Sequence, residues 1–214
     1  MKTSLKNKLI EIARTYYSDL DPSHSFSHIE RVLLNAEKIA KTEKEADLEV
    51  IVPAVLFHDV VTYAKNDPRN KLATEESATK AQQILMSIPE FPKEKIKLIK
   101  SCINKTSFSK GLRAETIEER ILQDADMLEA TGAISIMRTF TTGGVISRAL
   151  YDTKDPFAKK RQTDDFKYSL DLFYSRLLKV KDRMNTKEGK RLAKRRTEFL
   201  HKFLEELTLE INGK

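Results

Sequence analysis

The sequence predicts an all-α fold, and three observations lead to that prediction. Its 214 residues include only six Gly and six Pro, and no Gly precedes Gly111, so the turn formers that an all-β fold needs are scarce. No stretch alternates apolar and polar residues over enough positions to indicate a sheet. Apolar residues recur instead at helical spacing along most of the chain. We therefore expect one all-α domain, a single helical bundle over residues 1–214.

Apolar periodicity defines most of the predicted helices. The first has one apolar face, made of Leu5, Leu9, Ile12, Ala13 and Tyr16. The third is apolar on nearly all sides, which is typical of a central helix. The predicted helices cover residues 4–18, from Ser25 or Ser27 to Ala40, Leu48–Val61, Leu72–Met86, Pro92–Ile103, Glu115–Ala130, 134–140, 165–181 and 187–209.

Capping residues and glycines support several of these boundaries. Pro92 suits the first turn of a helix, and Thr116 with Glu119 forms a capping box. Gly143-Gly144 ends the helix before it, and polar loops are predicted over residues 63–70 and 106–114. We expect a core at about residues 20–140 and a C-terminal helical extension at about residues 164–209.

Cysteine content and charge indicate the location of the protein and the kind of ligand that it attracts. The single cysteine, Cys102, cannot form an internal disulfide, and no signal peptide or membrane span is visible, so a cytoplasmic location is expected. The net charge is +7, and residues 154–202 hold 16 Lys and Arg against 7 Asp and Glu. Such a field attracts phosphate-bearing ligands, although a Lys-rich solvated helix surface explains most of it.

Polar residues on apolar helices point to a metal site. His58 and Asp59 close the most apolar helix, His28 lies near the start of the second helix, and Asp126 lies within another apolar run. These groups are costly to bury unless they are paired or ligated. Neutral imidazole and carboxylate together suit a divalent transition metal, which would acidify a bound water. The spacing alone also fits ordinary buried His and Asp residues.

The surrounding motifs favour the metal site. HSFSHIERV, LFHDVV and QDADMLEATGAISIMRTF together resemble the HD-domain superfamily of metal-dependent phosphohydrolases. KNDPRNKLATEESA, TSFSKG, GGVISRALYD and MNTKEGKRLAKRRTEFLHKFL extend the likeness to a bacterial stand-alone branch that includes nucleoside triphosphate pyrophosphohydrolases. The resemblance covers about residues 20–205. It implies an HD-type helical bundle that binds a divalent metal through His28, His58, Asp59 and Asp126.

The resemblance also implies roles beyond the metal. His58 and Asp59 are the expected catalytic pair, and His24 is an expected substrate or outer contact. The expected cation is Mn²⁺, Mg²⁺, Co²⁺, Ni²⁺ or Fe²⁺, and the sequence does not distinguish between them. The expected substrate is a small phosphorylated molecule, a nucleotide by preference.

The loop after the HD dipeptide supplies candidate phosphate contacts. Lys65, Asn66 and Arg69 follow the site closely in sequence, and Arg binds phosphate oxygens in a bidentate manner. An ordinary polar loop is the alternative. Weaker candidates for the same pocket are Arg138, Arg148, Arg161, Ser107 and Ser109.

Four positions depart from the branch pattern. Thr106 stands where His is common, Met127 where Arg is common and Glu129 where Asp is common, and Leu172 often corresponds to His. These changes leave the metal residues intact but put the substrate in doubt, and loss of an outer partner can lower metal affinity.

The main alternative is therefore a catalytically weakened HD module that binds nucleotide or nucleic acid through its basic C-terminal helices. No phosphate-binding glycine loop, G-x-G-x-x-G or G-x-S-x-G motif occurs, and no aromatic platform for single strands is visible. Nucleic acid is thus an open but less favoured partner, and no membrane partner is expected.

Overall fold

A computed structural model describes residues 1–17, 25–63, 67–107 and 111–214. All regular structure in these ranges is helical except one isolated parallel bridge between Ala149 and Tyr168, so the all-α prediction is confirmed. The α-helices are α1 (Thr3–Arg14), α2 (Phe26–Ala40), α3 (Leu48–Phe57), α4 (Ala73–Met86), α5 (Ile96–Asn104), α6 (Ile117–Met127), α7 (Gly132–Val145), α8 (Asp171–Ser175) and α9 (Lys187–Ile211). Short 3-10 helices occupy Pro68–Leu72, Lys93–Lys95, Leu128–Ala130 and Leu177–Arg183.

The described chain forms two compact units, Met1–Asp126 and Met127–Lys214. The predicted domain limits stay predictions. None of the helices in the described ranges combines the length and the apolar character that crossing a bilayer requires.

Helix α3 is the centre of the first unit. Every residue from Val50 to Phe57 is buried, and α1, α2, α4 and α5 all pack against this helix. Asp47 caps its start by accepting a hydrogen bond from the N–H of Glu49 at 2.8 Å. The helix ends at Phe57 rather than at the predicted Val61. The residues that follow Phe57 therefore emerge from a fixed, fully packed element.

Helix α1 ends at Arg14 rather than at the predicted residue 18, and Tyr16 and Tyr17 follow it in a turn. Leu5, Leu9, Ala13 and Tyr17 are buried, whereas the predicted Ile12 and Tyr16 are only half-buried. Tyr17 occupies the interior because its hydroxyl has a hydrogen-bond acceptor there, the carbonyl of Leu56.

The second unit packs α7, α8 and α9 around aromatic residues. The Phe173 ring contacts those of Phe140 and Phe203, with centroids 6.2 and 5.6 Å away, and Leu170, Leu177, Leu200 and Leu204 complete the core. The continuous helix predicted over 165–181 is wrong, because its α-helical part is only Asp171–Ser175 and a 3-10 helix follows at Leu177–Arg183. The N–H groups of Ser169 and Leu170 donate to Ala149 and Leu150 carbonyls, at 2.8 and 2.9 Å, instead of to their own helix.

Candidate metal centre

Four side chains from three segments of the chain meet beyond the end of α3. His28 lies in the first turn of α2, His58 and Asp59 follow α3 directly, and Asp126 lies in the last turn of α6. The Nε2 atom of His28 is 3.5 Å from Asp126 Oδ1 and 3.8 Å from Asp59 Oδ2. The Nε2 atom of His58 is 3.6 Å from Asp59 Oδ2 and 3.8 Å from Asp126 Oδ1. Each imidazole therefore faces both carboxylates.

Burial divides the four groups into two classes. The imidazoles of His28 and His58 are almost completely enclosed, whereas the side chains of Asp59 and Asp126 keep 29% and 26% of their surface exposed. The carboxylates thus form the solvent-facing side of the cluster. A ligand can reach the four donors from that side.

A backbone hydrogen bond fixes the tautomer of His58. Its Nδ1 lies 2.7 Å from the carbonyl oxygen of Val55, which can only accept a hydrogen bond. Nδ1 therefore carries a proton, and in the neutral imidazole Nε2 presents its lone pair to the two carboxylates. This is the arrangement that metal-binding histidines use, with the second nitrogen held by a backbone or side-chain acceptor.

The distances fit a shared divalent cation. Donor atoms about 2.1 Å from one ion lie about 3 to 4.2 Å apart, depending on the angle between them. The four histidine–aspartate distances, 3.5 to 3.8 Å, fall in this range and exceed the roughly 2.7–3.2 Å of a good hydrogen bond. Donors of His28, His58 and Asp59 also lie within 4.8 Å of one another. The residues therefore fit a metal ion.

Hydrogen bonds between helices anchor the segments that carry the four residues. Asn35 of α2 donates from Nδ2 to the carbonyl of Ala125, 3.4 Å away, beside Asp126. Ser77 of α4 exchanges hydrogen bonds with the backbone of Val61, at 3.1 and 3.2 Å. Tyr17 holds the end of α3 and was not among the residues predicted from sequence. The sequence contains little indication of this role, because a tyrosine at helical spacing is expected to be an ordinary core residue.

The predicted phosphate contacts are only partly described. His24, Lys65, Asn66 and Ser109 lie outside the described residues. Arg69 is exposed and forms a 2.7 Å ion pair with Asp67, and its guanidinium lies 4.6 Å from the Tyr63 ring centroid. The hydrogen bond with Asp67 raises the pKa of Arg69. Arg69 is thus held locally, and its role toward a substrate stays a prediction.

Arg138, Arg148 and Arg161 all lie in the second unit. Arg161 binds the buried Asp171 with two nitrogens, at 2.5 and 2.8 Å, which is the geometry of a structural ion pair. Arg138 lies 3.9 Å from Glu129. The Nε of Arg148 is buried and has no hydrogen-bond acceptor among the described residues.

The four departures from the branch pattern are accommodated inside the protein. Thr106 donates to the carbonyl of Cys102 at 2.9 Å, and Met127 is buried. Glu129 is buried near Arg138, and Leu172 packs against the core of the second unit. Thr106, Met127 and Leu172 offer no charged or imidazole group where the branch commonly has one.

The HD domain profile matches residues 25–131, a span that contains all four residues of the cluster. The chain belongs to the HD domain family. A curated relative, the uncharacterized protein YpgQ of Bacillus subtilis, is 30% identical over 201 residues, covering 92% of this chain and 88% of YpgQ.

Solved structures show the same HD fold. YpgQ of Bacillus subtilis in complex with ADP has a TM-score of 0.73 and 28% identity, with 97% of this chain and 98% of that chain covered. An HD-superfamily hydrolase from Bacillus thuringiensis has a TM-score of 0.73 and 29% identity, with both chains covered completely. The HD-type bundle predicted from the sequence motifs is therefore confirmed.

Proposed function

We propose that this HD domain protein is a metal-dependent phosphohydrolase that cleaves a phosphoester or phosphoanhydride bond of a small nucleotide. The observation that carries the proposal is the cluster at the end of α3, where two buried imidazoles face two half-buried carboxylates at 3.5 to 3.8 Å. The ADP complex of YpgQ supports a nucleotide as the substrate class.

Each member of the cluster has a distinct task. His28, His58, Asp59 and Asp126 would hold the cation, and when bound it would acidify a water and polarise the phosphoryl group. The backbone carbonyl of Val55 keeps His58 in the tautomer with a free Nε2 lone pair. The two carboxylates on the open side would offset the cation's charge and leave room for a phosphate.

Substrate binding is assigned to the loop after the HD dipeptide. Lys65 and Arg69 would neutralise the phosphate chain, with Asn66 and His24 as further contacts. Arg69 must first exchange its Asp67 partner for a phosphate oxygen, an exchange that favours a multiply charged substrate. We infer a nucleoside triphosphate, with pyrophosphate as one product, and Mn²⁺ as the first metal to test.

The test has two steps. Metal content of the purified protein is measured first, followed by turnover of a nucleotide panel with Mn²⁺, Mg²⁺, Co²⁺, Ni²⁺ and Fe²⁺. We expect bound divalent metal and release of pyrophosphate from a pure triphosphate. Orthophosphate without pyrophosphate would reject the triphosphate assignment, and absence of both metal and turnover would reject the enzyme. Lys65→Ala should retain the metal and raise the KM of the nucleotide.

A second candidate is a weakened HD module that binds nucleic acid. It is favoured by the exposed cations of α9, among which are Lys187, Lys190, Lys194, Arg195 and Lys202. Arg191 of the same helix forms an ion pair with Glu188 at 2.7 Å. Binding of duplex DNA that weakens steeply with salt, in a protein without turnover, would establish this function instead.

A further inference from the structure

A tyrosine from outside the HD match reaches the metal cluster. The match begins at residue 25, whereas Tyr17 follows α1. Only 3% of Tyr17 is exposed, and its hydroxyl donates a hydrogen bond to the carbonyl oxygen of Leu56 at 3.0 Å. Leu56 lies in the last turn of α3, two residues before His58.

Tyr17 is also coupled electrostatically to Asp59. Burial raises the pKa of Tyr17, and the negative charge of Asp59 raises it further. The geometric link between Tyr17 and the cluster is the hydrogen bond to Leu56, which lies in the last turn before the backbone of His58 and Asp59.

This contact completes the end of α3. The last carbonyls of a helix have no partner within the helix and need one from elsewhere. The carbonyl of Val55 is satisfied by the imidazole of His58, and that of Leu56 is satisfied by Tyr17. The direction in which His58 and Asp59 leave the helix therefore depends on both bonds.

Tyr17 also contacts the second ligand-bearing helix. Its ring lies 5.9 Å from the ring of Phe26, which is the first residue of α2 and precedes His28 by two positions. The start of α2 and the end of α3 are thus packed against one tyrosine. No other described tyrosine is as buried, and Tyr16 beside it lies partly on the surface with Lys80 5.5 Å from its ring centroid.

We infer that Tyr17 is a positioning residue of the metal centre, and that α1 is therefore a functional part of this protein rather than an appendage of the HD domain. The hydroxyl holds the last turn of α3, from which His58 and Asp59 follow, and the ring packs against the start of α2. This inference rests on the proposed function, since it assumes that the cluster binds a divalent cation.

The experiment compares Tyr17→Phe with Tyr16→Phe. The Kd for Mn²⁺ of each full-length variant and of the wild type is measured by titration calorimetry, at a temperature where far-UV circular dichroism shows all three folded. We expect Tyr17→Phe to raise this Kd about 10- to 100-fold, as loss of an outer hydrogen bond does at other metal sites. Tyr16→Phe should bind Mn²⁺ like the wild type.

Kinetic constants separate positioning from substrate contact. At saturating Mn²⁺, Tyr17→Phe should lower kcat while the KM of the nucleotide stays unchanged, because the hydroxyl faces the protein backbone and not the open side. An unchanged Kd for Mn²⁺ in Tyr17→Phe, beside a wild type that binds Mn²⁺, would overturn the inference. A wild type that binds no divalent metal would reject the proposed function and this inference with it.

Discussion

The two ring nitrogens of His58 have different tasks. Nδ1 is committed to the carbonyl of Val55 at 2.7 Å, so Nε2 is left as an acceptor that faces Asp59 and Asp126. A neutral imidazole with its lone pair directed at two carboxylates is a poor arrangement by itself, because like electron-rich groups face one another. A divalent cation between them would remove that conflict, as the proposed metal site requires.

Asp59→Ala tests the cluster at its solvent-facing side. The variant removes one of two carboxylates that offset the cation's charge, so Mn²⁺ affinity should fall by more than the roughly 10- to 100-fold typical of an outer-partner loss. Helicity should persist, because the residues of α3 that pack the core are unchanged. Metal analysis and far-UV circular dichroism measure the two effects.

Asp182→Ala is the control, since this aspartate is exposed and lies in the other unit. It should retain full metal content. If Asp59→Ala retains as much metal as Asp182→Ala, then Asp59 is not a ligand.

The cost of burying His and Asp made the four cluster residues candidates, and the resemblance of the surrounding motifs to the HD superfamily favoured them over ordinary buried residues. The sequence did not allow Tyr17 to be separated from Tyr16, because both border one face of the helix predicted over residues 4–18. In the structure α1 ends at Arg14, and the position of the Leu56 carbonyl selects Tyr17.

Helix α6 begins at a capping box with additional partners. Glu119 accepts hydrogen bonds from the backbone N–H groups of Glu115 and Thr116, at 2.7 and 3.2 Å, and from Ser101 at 2.6 Å. Lys105 donates to the same carboxylate at 3.0 Å. Burial alone would raise the pKa of Glu119, but these hydrogen bonds outweigh burial and lower it.

Glu119→Gln should therefore destabilise the protein in a pH-dependent way. Since the pKa is lowered in the folded state, the ionised carboxylate stabilises the fold above the ordinary glutamate pKa of about 4.3, and this contribution is lost as the pH falls through the folded value. We expect a loss of about 1 to 2 kcal/mol at pH 7 that disappears in acid. Urea denaturation at several pH values measures it.

Glu115→Gln is the matched control. Glu115 contacts the same Lys105 at 2.8 Å, but 77% of its side chain is exposed. Glu115→Gln should lower the free energy of unfolding by less than about 0.5 kcal/mol, because exposed ion pairs contribute little to stability. Equal effects of the two substitutions would show that burial of Glu119 does not matter.

Helix α8 depends on packing more than on its own length. It has five residues, too few to be stable alone, and its Phe173 is completely buried between Phe140 and Phe203. Phe173→Ala should cost about 3 to 5 kcal/mol in the free energy of unfolding. Phe166→Ala, at a residue that is 84% exposed, should change it by less than about 0.5 kcal/mol. Thermal or urea unfolding of the two variants compares them, and similar losses would mean that the aromatic core contributes little.

Local signals predicted some element boundaries and not others: Gly143-Gly144 was expected to end a helix but lies inside α7, which continues to Val145. The Thr116–Glu119 capping box forms as expected, with the N–H of Glu119 donating to Thr116 at 3.3 Å. The segment at 165–181 was not predictable, because its helix is interrupted by hydrogen bonds to residues 149 and 150 and by the ion pair of Asp171 with Arg161. Those partners are close in space, and helical periodicity carries no information about them.

The charge of the whole molecule is uneven, and this bears on how a polyanionic substrate arrives. Residues 154–202 hold 16 basic and 7 acidic residues, so the positive charge of this segment alone is larger than the net charge of the whole chain, +7. Exposed charges at this density raise the local concentration of anions and their association rates, an effect that salt screens. If the electric field of the protein attracts a nucleotide, the association rate should depend on the net charge of the protein. If α9 is a nucleic-acid surface, binding should depend on where the cations of α9 lie.

Two triple variants of equal charge distinguish these cases. Lys190→Glu, Lys194→Glu and Arg195→Glu change exposed residues of α9, whereas Lys2→Glu, Lys41→Glu and Lys44→Glu change exposed residues of the first unit. Each set lowers the net charge by the same amount. Under the proposed function, both sets should raise the KM of a nucleoside triphosphate a few-fold at low salt and leave kcat unchanged.

The difference from wild type should vanish near 1 M salt, where the screening length is only about 3 Å. Steady-state kinetics across a salt series measures this. Duplex DNA retention is measured in parallel, by an electrophoretic shift at each salt concentration. Retention that is lost in the α9 set and kept in the first-unit set, with no nucleotide turnover in the wild type, would favour the nucleic-acid module. A KM that rises equally in both sets, because a long-range field depends on total charge more than on any one contact, would support capture of a small phosphorylated substrate.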